Sequence, residues 1–168
     1  KIYESNLASI NNSGDTVIDK SVITGSGTVI TNSANGSSNY AYTRKSARTS
    51  RMLLTNSTIN STANKNTNVT VMSNMDTMTI KDTVINNINQ NTSATVITNN
   101  HLWIGNDYNL EFNSYLNISG NITIDSTFGT AINNTGVVTL GSKINNLNTE
   151  YDYAYTGHQE EFVAPVIS

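Results

Sequence analysis

The residues of this chain able to do chemistry are few, and their spacing decides how much each can mean. Asp82, Asp107 and Asp125 each follow a short apolar triplet by one to three residues. On neighbouring turns of a β-helix three such carboxylates would line one face, and carboxylates at a suitable separation perform general acid–base work. That is the arrangement of a β-helical polysaccharide lyase or hydrolase. Yet Asp after a strand is first of all a turn residue, and no arginine lies nearby in sequence to hold a substrate carboxylate. His101 and His158 are far apart and lack metal-ligand spacing. The absence of cysteine excludes a thiolate zinc site, a cysteine nucleophile and a disulfide framework. There is neither a nucleophile motif nor a phosphate-cradling glycine loop. The sequence therefore predicts a non-enzymatic chain with no catalytic site, no metal and no cofactor, in which the three aspartates serve turns.

A different chemistry gathers between Asn32 and Arg51, where aliphatic residues vanish and Tyr40, Tyr42, Arg44, Lys45, Arg48 and Arg51 cluster. Tyrosine beside guanidinium and ammonium groups can hold a sulfated or sialylated glycan, or an acidic protein surface, through charge-assisted hydrogen bonds. The plainer reading is a solvated loop, since charge runs usually face water. These six residues are the candidate binding site, on an irregular insert of about residues 32–51.

What must position that insert is a repeat of apolar–polar–apolar triplets. They are Val69-Thr70-Val71, Met78-Thr79-Ile80, Leu102-Trp103-Ile104, Leu110-Glu111-Phe112, Leu116-Asn117-Ile118, Ile122-Thr123-Ile124 and Val138-Thr139-Leu140. Residues i and i+2 of a strand face one side, so each triplet reads as a very short strand with two side chains in one interior. Matching Leu102-Trp103-Ile104 to Ile122-Thr123-Ile124, and Leu116-Asn117-Ile118 to Val138-Thr139-Leu140, gives a step of roughly 20 to 24 residues, the length of a solenoid coil. The predicted fold is an all-β, parallel β-solenoid with short strands. Its predicted interior includes Val69, Val71, Met78, Ile80, Val96, Leu102, Ile104, Leu116, Ile118, Ile122, Ile124, Val138 and Leu140. Residues 1–31 read as two or three short strands opening the stack, with a hairpin turning at Ser26-Gly27 as the competing local reading.

Composition agrees with a single domain over residues 1–168. Apolar residues make up 36% and charged residues 12%, about half the usual charged share, so Asn, Thr and Ser must carry solubility. The net charge of −3 is too small to drive disorder, and the pI near 5.2 gives no reason to expect a nucleic-acid partner. The single proline, Pro165, leaves almost every residue able to donate a ladder hydrogen bond. No run of about 20 apolar residues exists to span a bilayer as a helix. Asn is dense, with doublets at Asn86-Asn87, Asn99-Asn100, Asn133-Asn134 and Asn145-Asn146. At corners Asn tolerates the left-handed region, and equivalent asparagines of successive coils can stack as amide ladders. Asn-x-Ser/Thr triplets, as at Asn56, Asn60, Asn68, Asn117 and Asn121, arise by chance in such a composition. The tail, about residues 148–168, alternates Tyr151, Tyr153 and Tyr155 with polar residues and reads as a terminal cap or edge.

The Thr/Asn-rich coils, and in particular the run from Phe128 to Gly141 (FGTAINNTGVVTLG), resemble the repeats of autotransporter passenger domains and other large β-helical surface adhesins of bacteria. The resemblance covers about half of the chain. It implies a right-handed β-helix displayed outside the cell and engaged in attachment, with a host-cell or bacterial surface protein or glycan as partner. The chain lacks the membrane β-barrel of a full member, so the resemblance implies a passenger segment of a larger surface protein or an independent fibre subunit. A structural fibre, pilus-like or phage-fibre-like and self-associating end to end, is the alternative.

Overall fold

The structure, a computed structural model, describes residues 1–33, 50–64, 68–87, 94–100, 102–103, 111–112, 114–125, 129–140, 144–148 and 154–155. All regular structure there is strand. The chain winds through six coils, each contributing one strand to each of three parallel sheets. The first coil holds β1 (Ile2–Tyr3), β2 (Asn6–Leu7) and β3 (Ile10–Asn12); the second β4 (Asp15–Asp19), β5 (Val22–Gly25) and β6 (Ile30–Asn32). The third holds β7 (Arg51–Thr55), β8 (Thr58–Ser61) and β9 (Thr70–Asn74); the fourth β10 (Thr77–Lys81), β11 (Val84–Asn87) and β12 (Ala94–Asn99). A hairpin of β13 (Leu102–Trp103) and β14 (Glu111–Phe112) intervenes. The fifth coil then holds β15 (Tyr115–Ser119), β16 (Ile122–Asp125) and β17 (Gly129–Asn134); the sixth β18 (Val137–Leu140), β19 (Ile144–Asn148) and β20 (Ala154–Tyr155). Sheet A stacks β1-β4-β7-β10-β15-β18, sheet B stacks β2-β5-β8-β11-β16-β19, and sheet C stacks β3-β6-β9-β12-β17-β20. This is a parallel β-solenoid.

The inward side chains form aliphatic columns. In sheet A one column is Ile18, Leu54, Ile80, Ile118 and Leu140, held in register from coil to coil. Sheet B contributes Ile23, Ile59, Ile85 and Ile124, and sheet C contributes Ile30, Met72, Ile97 and Ile132. All are buried in one continuous core. Each such side chain contributes roughly 1.5–3 kcal/mol on leaving water. β-Branched residues suit these columns because their restricted rotamers pack well on a pleated surface. Of the predicted interior, Val69, Val71, Met78, Ile80, Val96, Leu116, Ile118, Ile122, Ile124, Val138 and Leu140 are buried. The side chains of Leu102 and Ile104 lie outside the described residues.

Two expectations need correction. Leu102-Trp103 and Glu111-Phe112 are not coils of the stack; they pair antiparallel with each other, Leu102 opposite Phe112 and Trp103 opposite Glu111. The strand that stacks on Ile122-Thr123-Ile124 is β11, with Thr123 beside Val84 and Ile124 beside Ile85. By contrast, Leu116-Asn117-Ile118 does sit in register on Val138-Thr139-Leu140. The second correction is at the start of the chain, which holds the six strands β1–β6 rather than two or three, and Ser26-Gly27 forms a bend there because β5 and β6 belong to different parallel sheets.

Candidate functional site

The edge where the chain passes from sheet A to sheet B and the edge where it passes from sheet C to sheet A are built differently. The edge from A to B turns at a single residue in the left-handed region. Glu4, Lys20, Asn56 and Asp82 adopt φ between 46° and 49°, and Gly120 adopts φ 77°. After each of the first four comes a hydroxyl: Ser5, Ser21, Ser57 and Thr83. Their oxygens donate to the carbonyls of Tyr3, Asp19, Thr55 and Lys81, each two residues back. Ser21 Oγ also accepts from Ser5 N, and Ser57 Oγ from Ser21 N, at 3.2 and 3.1 Å. The corner keeps one length through the first four coils, as where Ile85 follows Ile80 by five positions, and takes one residue more in the fifth, where Ile124 follows Ile118 by six.

The edge from C to A is organised by buried asparagine. Asn12, Asn32, Asn74, Asn99 and Asn134 end the five successive sheet C strands and stack as a ladder. Each Nδ2 donates to the Oδ1 of the next coil, at 2.8, 2.8, 2.6 and 2.7 Å. All five side chains are buried. In three coils the turn that follows is tight. Asn12, Asn74 and Asn134 each accept from the backbone N–H two residues on and donate to the carbonyl of that same residue (Gly14, Asp76 and Gly136). This is an asparagine-closed turn. In the other two coils the chain makes an excursion at the same point, between Asn32 and Arg51 and between Asn99 and Tyr115. Across the second excursion Asn99 Nδ2 donates to Ser114 O at 3.4 Å, so Ser114 takes the place that Gly136 holds in a tight turn.

Both excursions are tied into the stack at their feet. Ser33 N donates to Asn12 O, and Arg51 N to Gly14 O. Ser50 is fully buried, and its N–H donates to Asp76 Oδ2 at 2.6 Å. For the second excursion, Asn100 N donates to Asn74 O and Tyr115 N to Asp76 O. Asp76, in the tight turn between the two excursions, thus holds the first by its carboxylate and the second by its carbonyl. The insert is therefore framed more closely than its composition indicates, because Asn32 and Arg51 are both strand residues.

Of the predicted binding residues, Tyr40, Tyr42, Arg44, Lys45 and Arg48 lie outside the described residues. Arg51 opens β7, exposed on the outer face of sheet A. Register places it in an outward row with Asp15, Thr77 and Tyr115, which continues to the buried Val137. Tyr115, which follows the foot of the hairpin excursion, is 45% exposed. It was not among the residues singled out from sequence, nor was Trp103 of the hairpin. Among the described residues the buried hydrophobic side chains are Ile, Val, Leu, Met and Ala, so an aromatic residue is not part of the described core.

Asp82 and Asp125 stand at different places in the coil. Asp82 is the left-handed corner residue between sheets A and B, and its Oδ1 accepts from Asn121 N at 2.7 Å. It thereby closes the corner of the next coil, as expected of a turn residue. Asp125 ends β16 in sheet B, level with Asn86 of β11, while Asp107 lies outside the described residues, as do His101 and His158. Among the described residues no group of three or more His, Asp or Glu side chains converges. Asp19 accepts from Asn56 Nδ2 at 2.9 Å and Thr55 Oγ1 at 2.8 Å, and these bonds hold its carboxyl below the ordinary value of 3.8. Comparison of the chain with family models, curated proteins and solved structures finds no match.

Proposed function

We propose that this chain is a non-catalytic attachment module of a bacterial cell surface, a segment of an autotransporter-like passenger or adhesin. The coil serves as the spacer and the edge from sheet C to sheet A as the contact. The observation that carries this reading is that the two long interruptions of the repeat, after Asn32 and after Asn99, fall at that one edge, where the asparagine ladder holds Arg51, Ser114 and Tyr115 at their ends. A binding surface on a repetitive scaffold belongs where the repeat is broken, because equivalent coils offer a partner nothing to distinguish. The tyrosines and basic residues of the first excursion, Tyr40, Tyr42, Arg44, Lys45 and Arg48, together with Arg51 at its foot, supply the side chains of a contact to a surface glycan or protein.

The ladder also provides a clean test. Exchanging residues 33–50 for Met-Asp copies the tight turn Asn74-Met75-Asp76-Thr77 into the second coil. The variant should keep the β-sheet spectrum and melting behaviour while losing adhesion to host or bacterial cells. Adhesion that survives both this exchange and the equivalent one at residues 100–114 would refute the reading. A purely structural fibre predicts that neither exchange affects any binding.

A further inference from the structure

We propose that Asn11, Asn68 and Asn117 are acceptor sites for N-linked sugar, a modification that follows from the surface geometry and does not depend on the attachment reading. Each opens an Asn-x-Ser/Thr triplet: Asn11-Asn12-Ser13, Asn68-Val69-Thr70 and Asn117-Ile118-Ser119. Composition supplies such triplets by chance, but it does not place them. Seven have all three side chains among the described residues, and in all seven the middle residue is buried while the asparagine and the hydroxyl residue are not. The six buried asparagines, the five of the ladder and Asn87, open none. A strand sends residues i and i+2 to one side, so this out–in–out order sets amide and hydroxyl together on the solvent face, about 7 Å apart along the chain. Asn117 stands on the outer face of sheet A beside Thr79 and Thr139, Asn11 on the outer face of sheet C beside Thr31, and Asn68 on the segment entering β9.

Hydrogen bonding separates these three from the other four triplets. Asn56 Nδ2 donates to Asp19 Oδ1, Asn60 Nδ2 to Thr24 Oγ1 and Thr135 Oγ1, the hydroxyl of the Asn133 triplet, to Asn100 Oδ1. Asn121 is held at its corner by its own N–H on Asp82 Oδ1. Among the described residues no such bond engages the amides of Asn11, Asn68 and Asn117 or the hydroxyls of Ser13, Thr70 and Ser119. A transferase acting in trans can therefore take both groups from the folded surface, with a nucleotide- or lipid-linked glycosyl diphosphate as donor. Nδ2 bonds to the anomeric carbon, the bond from that carbon to the diphosphate oxygen breaks, the diphosphate leaves with the electron pair, and the amide gives up one proton. A ladder amide has no proton to spare, for Asn12 Nδ2 already donates to Gly14 O, Asn32 Oδ1 and Arg51 O. On a chain with only 12% charged residues, outward sugars add hydration without adding charge.

The test is peptide mapping by mass spectrometry of the chain purified from the cells that make it, with tandem spectra locating each modified residue. Asn11, Asn68 and Asn117 should carry whole-sugar mass increments, and the six buried asparagines none. Ser119→Ala should remove the increment from Asn117 and leave those at Asn11 and Asn68. Ser119 is partly exposed, so melting should not change. A chain without sugar at these three residues overturns the proposal, as does sugar confined to the other four triplets. Sugar retained at Asn117 in Ser119→Ala also overturns it, because the hydroxyl is then not what the transferase reads. Sugar on a ladder asparagine would overturn the selection by burial.

Discussion

Replacing Asn74 by alanine removes the middle rung of the asparagine ladder and should destabilise the protein far more than its size implies. Asn74 Oδ1 accepts from Asn32 Nδ2, and its Nδ2 donates to Asn99 Oδ1, to Asp76 O and to Tyr115 O. Asn32 and Asn99 are both fully buried, so water cannot replace what is lost. One N–H of Asn32 and the amide oxygen of Asn99 would be stranded, at roughly 1–3 kcal/mol each. The total, about 2–6 kcal/mol, lies in the upper tail of single substitutions and is a large share of a typical folding free energy. Asn60 supplies the control, for it makes a similar pattern on the outside of sheet B. It accepts from Asn86 Nδ2 at 3.0 Å and donates to Thr24 Oγ1 at 3.2 Å beside solvent. Asn60→Ala should cost within about 0.5 kcal/mol. Denaturant unfolding followed by circular dichroism compares the two. A third variant, Asn74→Asp, sets a carboxylate oxygen against Asn99 Oδ1 and should be unstable at neutral pH. In the folded state its acid form, which restores one donor, is preferred, so its pKa is raised and the deficit should shrink as pH falls. Equal losses in Asn74→Ala and Asn60→Ala would refute the ladder as a source of stability.

Ile122→Asp should abolish folding, seen as loss of the β-sheet spectrum, because it places an unpaired charge at a fully buried position at a cost of several kcal/mol. Gly136→Ala should lower the melting temperature by several degrees, since a Cβ there would overlap Ser114 Oγ and crowd its carbonyl and Asn99 Nδ2. Asp19, held below 3.8 by Asn56 and Thr55, stabilises the fold above that value and loses the contribution as pH falls through its folded pKa. The melting-temperature gap between wild type and Asp19→Asn should therefore close on acidification; a gap that widens would reverse the assignment.

The solenoid was legible in the sequence because a triplet such as Met78-Thr79-Ile80 encodes a coil wall directly, two inward side chains about a polar one. The same local rule misled at Leu102-Trp103-Ile104, since alternation cannot tell a stacked strand from half of a hairpin. Sheet C was less visible for a different reason. Val71-Met72, Val96-Ile97 and Ala131-Ile132 put two consecutive residues inside, which breaks the alternation. The ladder was anticipated as a type of contact, but its rungs were not placed, because buried polar residues resemble turn residues in sequence. The Asn doublets resolve this in part: Asn134 points in and Asn133 out, and likewise Asn12 and Asn11. At the left-handed corners Asn56 and Asp82 are residue types that the sequence reading assigned to turns, but Glu4 and Lys20 hold two others. There the inter-coil hydroxyl bonds impose the turn and local preference yields. Of the six binding residues read from sequence only Arg51 is among the described residues, and composition reveals that a segment breaks the repeat but not that residues 100–114 interrupt it at the same edge.

The asparagine ladder also gives the coil an electrical direction. Backbone hydrogen bonds between coils run both ways, Glu4 N to Asp19 O but Val22 N to Ser5 O, and their dipoles largely cancel. The side-chain amides do not alternate. In each of the four rungs from Asn12 to Asn134 an amide N–H of the earlier coil donates to the amide oxygen of the later one. Dipoles aligned head to tail polarise one another and leave partial charge at the two ends, as in an α-helix but carried by side chains. The oxygen end is met at Asn12 by the hydroxyl of Thr16, which stands where the other coils have Met52, Met78, Leu116 and Val138. At the other end Asn134 Nδ2 donates to Gly136 O. Two such ladders can continue one another only in the same sense, for a join of like ends would set amide oxygen against amide oxygen.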